Sequence, residues 1–250
     1  MEVHHHPDVH HKPKKWKEYF MEFLMIFLAV TLGFFAENIR EHITNRAKEK
    51  QYIAGFISNV KDDTANLRDV IEFDERQVKG IDSMLKLAHV NMNIDSNRKS
   101  FYNIAIRHFY GSALFKSNDI TLQQLKNTGD YRLIEKDHVA DSLTKYGADV
   151  QAIYEQGEYY NAYYKDIIDR LDELVDMTVF ADTSFEKNGT LAGKEFPALR
   201  DDNGKLRTLF NKIFDFKSIT YSYAELYLKP QLQNAKNLIA YLRKEYHIQN

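Results

Sequence analysis

Residues 19–36, YFMEFLMIFLAVTLGFFA, constrain this chain more than any other stretch. Between Phe23 and Ala36 only Thr31 and Gly33 interrupt the apolar side chains. A bilayer core asks for about 20 such residues in a helix, and shorter runs also suit a buried core helix or a signal-peptide core. The flanks lengthen the run. Trp16, Tyr19 and Phe20 form an aromatic belt, and Lys12, Lys14, Lys15 and Lys17 form a basic collar. Glu22 lies one turn inside the edge, where it can reach toward that collar. The exit, GFFAENIREH, has no A-x-A-like cleavage site and reads on as helix. The expectation is a single-pass transmembrane signal anchor over 16–38 in a bacterial inner membrane. The lysines nearest the membrane put a short tail, 1–15, in the cytoplasm and the bulk of the chain in the periplasm. Arg40, Arg46, Lys48 and Lys50 follow the span and make that charge bias small.

Composition narrows the rest. With no cysteine, a disulfide scaffold, an iron–sulfur centre and a cysteine zinc site are all excluded. A net charge of −2 argues against a nucleic-acid partner, which needs a basic face. Only 10 glycines and 4 prolines in 250 residues argue against a many-turned β fold. The expected class is all-α. The tail MEVHHHPDVHHKPKK holds His4, His5, His6, His10 and His11. Imidazoles bind transition metals, but no preorganised spacing is present, and the favoured reading is a disordered, weakly cationic tail near the lipid head groups.

Beyond the span, two long heptad patterns dominate. Ile53, Ile57, Val60, Thr64, Leu67, Ile71, Asp74, Val78, Ile81, Leu85 and Ala88 step alternately by four and three, and nine of these eleven are apolar. The same stepping runs back through Ile43, Ile39, Ala36, Leu32, Ala29 and Met25, so the membrane helix is expected to leave the bilayer unbroken, or with a break near Asn45 or Gly55. Val139, Leu143, Tyr146, Val150, Ile153, Gly157, Tyr160, Tyr164, Ile167, Leu171 and Leu174 repeat the pattern. Shorter helices are expected at Lys99–Leu114, over ITLQQLKNT between an SND cap and Gly129, at Lys205–Phe216, and at Ser218–Tyr246 with a kink or split at Pro230. Residues 178–204 break the pattern, and Asn188-Gly189 and Asn203-Gly204 allow a small hairpin. Together these make an elongated antiparallel helical bundle over 39–250.

Two segments carry a resemblance: REHITNRAKEKQYIAGFISNVKDDTANL, at 40–67, and ITLQQLKNTGDYRLIEKDHVADSLTKY, at 120–146. Through Lys50, Tyr52, Ile53, Asp62, Asp63, Thr121, Leu125, Thr128, Gly129, Leu133, Ile134 and Leu143 the chain resembles uncharacterised single-pass membrane proteins of the Bacteroidota. Tyr146-Gly147 departs from the paired tyrosines of that pattern. The resemblance implies a helix-rich, membrane-anchored architecture and brings no activity, cofactor or catalytic residue.

The residues offer no chemistry of their own. No nucleophile elbow, phosphate loop, zinc-protease helix or dinucleotide fingerprint is present, and Asp62-Asp63, Asp141 and Asp149 read as solvated helix faces. No enzyme and no cofactor are expected. Within the membrane, Ala29 and Gly33 form a small-x-x-x-small spacing that lets spans approach, and with Trp16, Tyr19 and Glu22 they are the candidate membrane and oligomer contacts. Tyrosines crowd residues 154–164 and 221–227, and Tyr160, Tyr164 and Tyr223 are candidate lining for a ligand groove, or else part of a wide core. The favoured reading is a non-catalytic scaffold or partner subunit, as a homo-oligomer or with a membrane protein partner. The alternative is an extracytoplasmic ligand-sensing four-helix-type module that signals through a partner.

Overall fold

A computed structural model of the protein describes residues 15–180 and 195–249. The five tail histidines and Asn188-Gly189 lie outside the described residues. Among those described, every regular element is helical: α1 (Trp16–Leu85), α2 (Asp95–His108), α3 (Ile120–Thr128), α4 (Asp137–Leu174), α5 (Lys205–Ser222) and α6 (Lys229–Tyr246). Short 3₁₀ turns follow α3 and α4, and a π-helical turn, Tyr223–Leu228, joins α5 to α6. The expected all-α class is therefore what forms. No strand forms among the described residues near 178–204. Asn203 and Gly204 instead adopt consecutive left-handed conformations that launch α5.

The chain divides into two units, at Gln51 and Tyr52. Ile39 and Ile43 are exposed, and Ile53 is the first fully buried seam residue. In the first unit α1 is one helix long and apolar enough to cross a membrane, and none of its apolar 18-residue window is buried. Phe34 is 74% exposed and Trp16 83%. Phe rings at 23 and 27 stack one turn apart, and the Thr31 hydroxyl donates to the Phe27 carbonyl, so even the polar atom of the run is satisfied within the helix.

The second unit is an up-down-up-down bundle. The remainder of α1 is the first leg. The second leg is broken into α2, an irregular strap over 109–119, and α3. The third leg is α4, and the fourth is α5 with α6. Partners along the legs fix the directions. Tyr146 of α4 meets Asp63 of α1 and Tyr160 meets Gln77, so those two legs run parallel. Lys217 pairs with Asp82 and Lys229 with Glu75, so the fourth leg runs antiparallel to the first. Both heptad seams face inward as their periodicity predicts: Ile53, Leu67, Ile81, Val139, Leu143, Ile167, Leu171 and Leu174 are all solvent-inaccessible.

Two local departures have physical causes. Helix α2 spans Asp95–His108 rather than 99–114, with Asp95 in its first turn and Arg107 in its last, each complementing the helix dipole. Pro230 does not split the last helix. It has no N–H, and its ring would collide with the carbonyl of residue 226 in a regular α-helix. The turn before it is wider: the Lys229 N–H reaches back five residues to the Ala224 carbonyl.

Candidate functional site

The tyrosine-rich faces surround the strap. Residues 109–119 make no helical hydrogen bonds to one another, so their backbone N–H groups need other partners. Side chains from two helices, α1 and α4, and the π turn supply them. The Tyr164 hydroxyl accepts from the Gly111 N–H. Tyr223 Oη accepts from Phe115 N at 3.3 Å, and Tyr154 Oη from Ser117 N at 2.9 Å. Asp63 Oδ1 accepts from Asn118 N at 2.6 Å, and Asn59 Oδ1 accepts from Thr121 N at 3.0 Å, where α3 begins. The N-terminus of α3 is thus capped from α1. No side chain of its own SND motif caps it.

Asp63 is the lower anchor of the strap. It is 1% exposed, and its Oδ2 accepts from both Ser117 Oγ and Tyr146 Oη at 2.6 Å. Asn118 Nδ2 donates to Asp62 Oδ2 at 2.8 Å, and Asn66 Nδ2 to the Lys116 carbonyl at 2.6 Å. The reading of Asp62-Asp63 as a solvated face holds for Asp62, which is exposed, and is corrected for Asp63. Asp63 flanks the seam, and its charge is met by donors 54, 55 and 83 residues away. Burial raises its carboxyl above the ordinary carboxylate range, against three donors that lower it. The two segments that carry the family resemblance therefore dock on each other, and Tyr52 Oη adds a 2.5 Å bond to Asp130 between them. Gly147 belongs to the same joint: a Cβ there would come within 2.9 Å of Leu122.

The upper part of the strap covers a buried polar centre. Tyr160 and Tyr223 are both fully buried, with ring centroids 5.3 Å apart, and Tyr160 lies 5.1 Å from Phe216. Tyr164 is half-buried, 6.5 Å from Phe216. These three expected groove residues are thus brought together, and what lies against their hydroxyls is Gln77 and the strap. Tyr160 donates to Gln77 Oε1, and Gln77 Nε2 donates to the His108 carbonyl at 3.4 Å. One turn before Gln77, Asp74 is 0% exposed and neither carboxylate oxygen has a hydrogen-bond partner. Burial raises its carboxyl to about 8. Asp74 was visible in the sequence as the one charged residue in the α1 seam. The strap was not, because nothing local marks residues 109–119 as irregular.

The other expected contacts sit on the first unit. Trp16 and Tyr19 are exposed, Glu22 is partly covered, and Ala29 is exposed, while a Cβ at Gly33 would meet nothing within 4 Å. Among the described residues no group of three His, Asp or Glu side chains is placed to hold a metal ion. A cleft of about 360 Å³ opens beside the lower anchor, lined by Phe56, Asn118, Gln123, Lys126, Tyr146 and Tyr154, among others. Comparison of the chain with protein-family models, with curated proteins and with solved structures returned no match.

Proposed function

We propose that the protein is a signal-anchored bacterial inner-membrane protein with a cytoplasmic tail and a periplasmic helical bundle. It acts without catalysis, as a scaffold or partner subunit, through self-association or a membrane protein partner. The observation that carries this reading is the contrast along α1. Large apolar side chains from Tyr19 to Phe35 are exposed, while the seam from Ile53 onward is closed into a core. A contiguous apolar surface of this kind is covered by lipid or by another protein. The resemblance to uncharacterised Bacteroidota membrane proteins supports the same architecture.

The test is a crosslinking pull-down of the full-length protein from native membranes beside a copy lacking residues 1–36. A stoichiometric partner that is lost with the span supports the reading. Absence of both partner and oligomer overturns it. Since the chain has no cysteine, single cysteines introduced at His42 and Ser218 report topology directly by labelling of intact cells. Labelling from outside at both sites is expected.

The cleft beside the lower anchor favours a second reading, a ligand-sensing bundle. Asn118 lies in its wall, and the Asn118 Oδ1 atom is buried and without a donor. In that reading a small hydrogen-bonding ligand binds between α3 and α4, and signalling passes to a membrane partner.

A further inference from the structure

The centre of the bundle holds a carboxyl group that nothing satisfies. Asp74 has no solvent exposure and no hydrogen bond to either oxygen. A buried ionised carboxylate without donors is among the most unfavourable groups a core can hold. The group tolerates this position only as the neutral acid.

Its surroundings are unusual in two respects. The titratable groups that face it are the Tyr160 phenol from α4 and the Tyr223 phenol from the π turn, each within electrostatic reach. Both phenols are pushed above their ordinary range by burial, Tyr223 to about 12. Neither changes charge near neutral pH. From α2, His108 packs over Gly80 one to two turns further along α1, and burial with the Arg107 charge holds it below its ordinary value, hence neutral. The charged pairs Glu75–Lys229 and Asp82–Lys217 flank the centre on outer faces. The Tyr223 hydroxyl is also the partner of the Phe115 N–H at the middle of the strap, through a long 3.3 Å bond. Tyr223 is the first residue of the π turn, a rare element that recurs at functional sites.

We propose that Asp74 is a proton-operated latch on the strap. Neutral, it lets Tyr160, Tyr223 and Phe115 close over it. Ionised, it draws in water and the two phenol hydroxyls, and the strap loosens at Phe115 together with the π turn. The step transfers one proton from Asp74 to solvent and forms no covalent bond. The latch does not depend on what the bundle binds or on which side of the membrane it lies.

Amide hydrogen exchange of the full-length protein in detergent micelles, followed by mass spectrometry and corrected for intrinsic exchange, tests this. With the folded carboxyl at about 8 and a solvated one near 3.8 in the open state, protection of peptides covering 109–119 and 223–228 falls about ninetyfold from about pH 6 to about pH 9. In Asp74→Asn the same peptides stay protected at both pH values. A wild-type protein whose strap protection is flat with pH overturns the latch. So does an Asp74→Asn protein that shows the same fall. If Asp74→Asn loses helicity, Asp74→Leu takes its place, since an apolar residue of similar volume suits a dry centre and is equally unable to ionise.

Discussion

Replacing Asp63 separates charge from geometry at the lower anchor. Its Oδ1 serves a fixed donor, the Asn118 backbone N–H, and its Oδ2 serves two rotatable ones, the Ser117 and Tyr146 hydroxyls. In Asp63→Asn the amide oxygen keeps Asn118. The new NH₂ donates to Ser117 and Tyr146, whose hydroxyls turn round to accept. All three contacts survive, and the desolvated charge is gone, so the change in stability stays within about 1 kcal/mol. In Asp63→Ala three donors lose their acceptor. The hydroxyls can re-aim but the N–H cannot, and relief from burying a carboxylate offsets part of the loss. At about 1–3 kcal/mol for an orphaned buried donor, the net cost is roughly 2–4 kcal/mol. Urea unfolding of the full-length protein in micelles, followed by far-ultraviolet circular dichroism, measures both. The pH dependence adds a second check. The folded Asp63 carboxyl is raised above its ordinary 3.8. Its share of stability is therefore greatest below 3.8, falls as pH rises toward the raised folded value, and is level above it. Asp63→Asn removes that slope. If Asn costs as much as Ala, the charge holds the strap and the hydrogen-bond argument is refuted.

Other outcomes follow from close approach and from the span. At Gly80 a Cβ would stand 2.2 Å from His108 Cγ and 2.3 Å from His108 Cβ. Gly80→Ala therefore loses up to about 2 kcal/mol net, overpacking of about 1–3 offsetting and exceeding the roughly 1 kcal/mol gained in helix propensity. Adding His108→Gly restores most of it in a double-mutant cycle of urea midpoints. Leu28→Lys places an ammonium at the middle of the apolar run, at an insertion cost of about 2.5–3.5 kcal/mol. The protein then shifts from the pellet to the supernatant on alkaline carbonate extraction of membranes.

The heptad seams were legible because burial along a helix repeats with the helix itself. Ile53 to Leu85 and Val139 to Leu174 needed only the spacing of apolar residues to declare a face. The same arithmetic placed Asp74 among the seam positions. Gly129 was legible as a stop because a left-handed residue favours glycine, and it adopts φ 71° there. Local rules carried these positions, and local rules failed where the partner was distant. Pro230 read as a break, yet a widened turn absorbed it, which depends on what packs around Tyr223–Leu228.

The amino-acid sequence by itself determined that the chain is helical, that one stretch is apolar all round, and which faces of the long helices turn inward. Those are properties of neighbours three and four residues apart. Only the tertiary structure decided what the tyrosines and acids do. Asp63, Asn59, Tyr154, Tyr164 and Tyr223 come from two helices and a π turn to satisfy the backbone of a segment that forms no helix of its own. An irregular strap inside a bundle leaves its N–H groups without local partners. Their satisfaction is therefore a long-range matter, written in residues that lie far from one another along the chain.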